Sequence, residues 1–160
     1  MIIRNAAPAD LPTIGEIDAL SQMYAYQDVK PAEYLATLTP QARTEAWTER
    51  RANEADTHHL LVAEEDGQIK GFCYVGPGQD PAIGDLYALF VHPDALGGGV
   101  AKPLQGAGLT VLSGLGYRRF LLYVAEQNHR ARRFYEKTGW YAEGEGFESR
   151  GAKFLKYLHD

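Results

Sequence analysis

The spacing of apolar residues changes repeatedly along the chain, and each change marks an element. Met1 to Asn5 reads as a short strand. After Pro8-Ala9-Asp10, the residues Leu11, Ile14, Ile17 and Leu20 recur at helical spacing. A second helix is predicted from Pro40 to about Asn53, with Thr39 as N-cap and Pro40 in the first helical position. His59 to Glu64 and Gln68 to Val75 read as strands joined in a hairpin by Glu65-Asp66-Gly67. Leu86 to Val91 is a continuous apolar run, which suits a strand buried on both faces. Leu104, Val111, Leu112 and Leu115 then mark a helix that begins at Val100 and ends around Gly114 and Gly116. Arg119 to Ala125 is a strand, and Asn128 caps a helix from His129 to Lys137 that stops at Gly139. Closing strands are expected at Trp140 to Glu145 and Lys153 to His159. Ser21 to Thr39, rich in tyrosine (Tyr24, Tyr26, Tyr34), and Gly76 to Gly84 lack either period and read as loops. The order β-α-α-β-β-β-α-β-α-β-β describes an α/β (α+β) fold around a mixed sheet, with residues 1–160 forming one domain.

Composition narrows the partners more than the fold. A formal net charge of −5 argues against a general affinity for nucleic acid. No window approaches the ~20 apolar residues of a membrane span, and the N-terminus lacks the apolar core of a signal peptide. The expectation is therefore a cytoplasmic protein that binds neither nucleic acid nor membrane, with a homodimer allowed. Cys73 is the only cysteine and lies between Phe72 and Tyr74 in a strand, so it reads as a buried small hydrophobe. The neighbouring His58 and His59 point to opposite faces of a strand, a poor arrangement for a metal, and none is expected.

Two stretches carry chemistry. In the first, strand Leu86 to Val91 is stopped by His92-Pro93-Asp94 and followed by Gly97-Gly98-Gly99 and the start of a helix. A strand, a glycine turn and a helix N-terminus present several backbone N–H groups to a phosphate. By itself the turn is equally compatible with a purely structural role. The second is Asn128 to Trp140, NHRARRFYEKTGW. Arg130, Arg132 and Arg133 crowd a helix start, where the backbone dipole favours negative side chains. A bound anion would compensate them, and so would an ordinary solvated face paired with Glu126 and Glu136. Ala131, Phe134 and Thr138 form the expected core stripe, with Tyr135 at its edge, ring packed and hydroxyl toward a cleft.

These segments resemble the GCN5-related N-acetyltransferase (GNAT) superfamily over essentially the whole chain. Asn128, Ala131, Phe134-Tyr135-Glu136-Lys137 and Gly139-Trp140 are similar to its N-x-x-A-x-x-F-Y-E-K-x-G-[FW] pattern, and Leu89-x-Val91-x-Pro93 to its L-x-V-x-P strand end. Gly97-x-Gly99-x-Ala101 resembles the acetyl-CoA pyrophosphate signature [QR]-x-x-G-x-[GA]. Leu96 stands where that signature has Gln or Arg, so no side-chain hydrogen bond to phosphate is available there. The resemblance implies acetyl-CoA as cosubstrate and transfer of its acetyl group to a primary amine of a small molecule or protein. It implies that Leu89, Phe90 and Val91 hold the pantetheine arm and thioester, with an N–H near Leu89 or Phe90 as oxyanion donor. Gly97, Gly98, Gly99, Val100, Ala101 and Lys102 would hold the pyrophosphate, with Asn128, Arg132 and Tyr135 completing the cofactor site. Tyr135 is the implied acid for the leaving thiolate. Asp85 is the first candidate for general base, ahead of Tyr87, Glu143 and Glu145. Pro103, lacking an N–H, is tolerable if the first helical turn is committed to the ligand.

Acceptor choice would rest with Ser21 to Thr39, Gly76 to Gly84 and Gly146 to Gly151. There Asp28, Asp80 and Glu148 would suit a cationic amine. The alternative function is a non-catalytic acyl-CoA-binding module on the same fold.

Overall fold

A computed structural model describes all residues 1–160. Strands β1 (Ile2–Asn5), β2 (His59–Glu65), β3 (Gln68–Pro77), β4 (Ile83–Val91), β5 (Arg119–Ala125), β6 (Tyr141–Ala142), β7 (Phe147–Ser149) and β8 (Ala152–His159) form one sheet. Its order is β1-β2-β3-β4-β5-β8-β6, with β7 also paired to β8. Every pairing is antiparallel except β4 with β5. The helices are α1 (Leu11–Tyr26), α2 (Ala32–Leu35), α3 (Pro40–Glu54), α4 (Ala101–Gly114) and α5 (His129–Lys137).

Helices α1 and α3 cover one face. There Ile14, Ile17 and Trp47 pack on Leu60, Val62, Phe72, Tyr74 and Ala88. On the opposite face Leu104 and Leu112 of α4 and Tyr135 of α5 meet Leu61, Cys73, Val75, Leu86 and Val91. One buried polar contact joins α1 to α3: the Asp18 carboxylate accepts from Trp47 Nε1 at 2.7 Å and from Arg43 Nε at 3.0 Å.

Several expected boundaries move. Helix α1 runs on to Tyr26 and a short α2 follows, so about half of Ser21 to Thr39 is helical. The Gly76 to Gly84 loop shrinks because β3 extends to Pro77 and β4 starts at Ile83. The closing segment contains three strands rather than two. Leu86 to Val91 is not buried throughout, since Tyr87 is 40% exposed. A β-bulge is the cause: Tyr74 pairs with Ala88 and Val75 with Leu86, leaving Tyr87 as the extra residue. The bulge turns Tyr87 onto the α1–α3 face, against His58 and Tyr74. Leu86 then shares the α4–α5 core with Leu89 and Val91, while Ala88 and Phe90 pack on the α1–α3 side.

Candidate active site

The parallel pairing of β4 with β5 covers only Ile83–Arg119, Gly84–Phe120 and Asp85–Leu121. Beyond Asp85 the strands diverge, and a cavity of about 1570 Å³ opens between them. That exceeds the ~300–1,000 Å³ of an ordinary small-ligand cleft and leaves room for two substrates. Leu86 to Val91 line one side and Leu121 to Val124 the other.

Strand alternation decides which backbone groups face the gap. The His92 N–H donates to Lys70 O on β3 at 2.8 Å. Phe90, two residues back, turns its backbone polar groups the same way; those of Leu89 and Val91 point into the gap. The Val91 carbonyl accepts there from Ser21 Oγ at 3.2 Å. Of the two expected oxyanion donors, the register therefore favours Leu89.

At the wide end of the gap, Gly97 and Gly99 each adopt φ of +80°, a left-handed conformation that favours glycine. The N–H groups of Gly97, Gly99, Val100, Ala101 and Lys102 have no backbone partner. Gly98 differs: its N–H donates to Ala95 O at 3.1 Å, and it does not line the cavity. Pro103 falls in the first turn of α4, where a missing N–H deprives no helical carbonyl of its donor. Leu96 lines the cavity and packs against the core. The free donors all belong to the backbone, so the cradle fits a pyrophosphate without a side-chain ligand at position 96.

Helix α5 supplies cations to this end, and they differ from the expected set. Arg132 Nε donates to Tyr157 Oη at 3.1 Å and Nη1 to Glu126 O at 2.9 Å, which ties the guanidinium to β8 and away from the cavity. Arg130, Arg133 and Lys137 line the cavity instead. Their i, i+3, i+7 spacing is the legible sign of a shared helix face, one that the family motif does not mark. Arg130 stands beside the glycine turn, its Nη2 3.8 Å from where a Cβ on Gly97 would lie. None of the three forms an ion pair, and neither does Lys102. Asn128 lines the cavity and caps α5, its Oδ1 accepting from Ala131 N at 3.2 Å.

Tyr135 is the buried residue of α5 and Phe134 only partly buried, the reverse of the expected stripe. Its ring packs edge-on against Phe134 and Trp140. Burial raises its pKa, with Cys73 and Tyr26 adding to the effect. The phenol stays protonated across the physiological range. Its hydroxyl has no partner in the protein, and no buried side-chain polar atom lacks one, so this oxygen opens on the cavity.

Asp85 occupies the vertex of the gap, as the last residue of β4 paired with β5. Partial burial and the nearby Asp80 raise its pKa to about 6. The Gly78 backbone packs so closely that a Cβ there would lie 2.3 Å from the carboxylate. Tyr87 also lines the cavity, but its hydroxyl donates to Pro77 O. Glu143 and Glu145 do not line the cavity. Of the acidic residues considered for acceptor choice, only Asp80 reaches it. Glu148 pairs with Lys153, one residue out of step with the cavity-lining Phe147–Phe154 pair, and so faces the other way.

A family model for the acetyltransferase (GNAT) family matches residues 22–140. The chain belongs to the GNAT acetyltransferase family. Among its relatives, a mycothiol acetyltransferase of Actinosynnema mirum is 31% identical over 145 residues, covering 82% of this chain and 49% of the relative. Another, from Stackebrandtia nassauensis, is 41% identical over 105 residues, covering 59% and 34%. The chain thus spans between about a third and a half of these curated relatives. Among solved structures, the PaiA N-acetyltransferase of Thermoplasma acidophilum, crystallised with coenzyme A, superposes with a TM-score of 0.81 at 20% identity, covering 97% of this chain and 96% of that one. The putative acetyltransferase YncA of Salmonella typhimurium, with acetyl-CoA, gives 0.76 at 20% identity, covering 99% and 92%. These two likenesses establish the GNAT fold. No helix of this GNAT protein is long and apolar enough to cross a membrane.

Proposed function

We propose that this protein is an N-acetyltransferase that moves the acetyl group of acetyl-CoA to a primary amine of a small molecule by direct attack. One arrangement carries the reading. A carboxylate without a hydrogen-bond partner, Asp85, stands at the vertex of the gap whose open end bears the unpaired N–H groups of Gly97, Gly99, Val100, Ala101 and Lys102. Acetyl-CoA supplies an activated thioester carbonyl when bound.

The chain's own residues divide the remaining work. The N–H groups after the glycine turn, with Arg130, Arg133 and Lys102, bind the diphosphate end. The exposed backbone edge of Leu89 and Val91 takes the extended arm in the manner of an added strand. The Leu89 N–H stabilises negative charge building on the carbonyl oxygen. A free alkylamine has a pKa of ~10.4 and must lose a proton before it attacks. Asp85, with a pKa of about 6, is ionised at neutral pH and accepts that proton, directly or through water. Tyr135, held protonated by burial, donates to the departing thiolate.

The test is acetyl-CoA consumption with release of free thiol against a panel of amines, beside a calorimetric titration with acetyl-CoA. Saturable binding and amine-dependent thiol release are expected. Binding without release on every amine would favour a non-catalytic acyl-CoA-binding module, and absence of binding would exclude both.

A further inference from the structure

The face of the sheet that carries Asp85 is polarised. Paired residues keep their side chains on one face, and here Asp85 is level with Leu121, Tyr123 with Lys156 and Ala125 with Phe154. Asp85, Tyr123 and Phe154 therefore share the α1–α3 face. Asp85 and Phe154 lie on the strands either side of β5, two strand spacings apart, and four residues apart along it; at ~3.3 Å per residue and ~4.8 Å per strand they are roughly 16 Å apart. Between them lie an aromatic floor and one cation, Lys156, which lines the cavity at the level of Tyr123. Phe147 stacks on Phe154 with ring centres 5.0 Å apart, and Tyr123 meets Phe147 edge-on at 5.0 Å.

Two cations close the far end. Lys30 Nζ lies 4.2 Å from the centre of the Tyr26 ring and 5.2 Å from those of Tyr34 and Phe154. The Arg150 guanidinium lies 4.2 Å from the centre of the same Tyr34 ring. Neither cation has a carboxylate partner. Like charges brought to one aromatic ring with no acid between them repel, and burial together with Arg150 lowers the Lys30 pKa.

The placement of Arg150 is informative in its own right. It occupies the first central position of the two-residue turn joining β7 to β8, with φ of 51°, followed by Gly151 at 81°. The β2–β3 hairpin uses the same left-handed pair in Asp66 at 53° and Gly67 at 76°. Aspartate, asparagine and glycine suit that first position; a long side chain does not. The turn itself gains nothing from arginine; its guanidinium instead lies over Tyr34, whose other cation, Lys30, stands against the cavity-lining Tyr26 and Phe154.

We propose that Lys30 and Arg150 bind a carboxylate of the acceptor, whose reacting amine sits at Asp85. This rests on the transferase reading and narrows the substrate to a short peptide or peptide-like amine. A free α-amino acid, with amine and carboxylate on one carbon, is too short to reach both ends. Polyamines and aminoglycosides would meet repulsion at the cation pair. An extended tripeptide spans roughly 10 Å, and a hydrogen bond of ~3 Å at each end brings its reach to roughly 16 Å.

The test compares alanyl-alanyl-phenylalanine with its C-terminal amide, by calorimetry on the protein saturated with coenzyme A. The acid is expected to bind about tenfold or more tightly than the amide. Arg150→Asn preserves the turn, and Lys30→Gln preserves side-chain length; each should reduce that preference severalfold. Equal binding of acid and amide, no binding of the acid, or an undiminished preference in both variants would overturn the proposal. Turnover separates the two readings. Acetyl transfer to amines with no preference for the acid refutes the carboxylate site alone. Selective binding of the acid without acetylation of any amine refutes the transferase reading alone.

Discussion

Replacing Asp85 with asparagine should change catalysis and stability in opposite directions. Asp85 rises from 3.8 to about 6 in the folded protein, chiefly through desolvation and secondarily through Asp80. The folded state therefore holds this proton more tightly than the unfolded chain does. The resulting stabilisation is complete below about pH 4 and is lost as pH rises through about 6. Above that, the ionised carboxylate opposes folding. At ~1.4 kcal/mol per unit, the displacement corresponds to roughly 3 kcal/mol, which solvent screening at a half-buried site reduces to about 1–2 kcal/mol. Asp85→Asn keeps the shape and carries no charge at any pH. It should be more stable than the parent by about 1–2 kcal/mol at pH 7.5, with the difference vanishing toward pH 4.

Activity should move the other way. In the parent, kcat/KM for amine acetylation should rise through an apparent pKa near 6, as Asp85 becomes available to accept a proton. The variant should lose that limb and fall by about 10²–10⁴-fold at neutral pH. Urea unfolding at pH 4 and 7.5, beside pH–rate profiles, measures both effects. If the acidic limb survives in Asp85→Asn, another group is the base. If the variant is less stable than the parent at pH 7.5, the carboxylate is held by a favourable contact and the desolvation argument fails. Loss of activity together with a gain of stability is the joint outcome a purely structural carboxylate would not produce.

Other perturbations test the remaining parts. Tyr135→Phe should reduce kcat by about tenfold or more while leaving the Kd for CoA within about twofold, because only the proton donor is removed; equal losses in both would refute the acid role. Arg130→Ala and Arg133→Ala should each weaken CoA binding and flatten its salt dependence, whereas Arg132→Ala should lower stability and leave the salt dependence unchanged. Gly99→Ala meets no atom within 4 Å, so its effect comes from φ of +80°: about 1–2 kcal/mol, read as weaker CoA binding and a lower unfolding midpoint. Asp18→Ala should destabilise by about 3 kcal/mol or more in urea unfolding, since Trp47 Nε1 and Arg43 lose a buried acceptor.

How far the sequence discloses this site follows from the kind of interaction that builds each part. The glycine turn and the Asn128 cap are local, so their chemistry is written in neighbouring residues, and the N–H cradle is legible from the order of strand, glycines and helix alone. The α5 cations are half legible. Three arginines in four positions announce an anion, but sorting them needs the helix phase against β8, where Tyr157 and the Glu126 carbonyl capture Arg132. The bulge at Tyr87 is not legible. Alternation alone would put Leu86, Ala88 and Phe90 on one face, yet the extra residue sends Leu86 to the α4–α5 side with Leu89 and Val91. Once the register across β3 and β4 is known, the oxyanion donor narrows from Leu89 or Phe90 to Leu89. The acceptor face is the least legible of all, because Lys30 and Tyr34 lie far in sequence from Phe154 and Arg150 and meet them only where the segment after α1 packs against the β7–β8 hairpin. What the sequence does offer there is an anomaly, an Arg-Gly pair where the first hairpin has Asp-Gly. Departures from local preference are sought first where function can compensate for them.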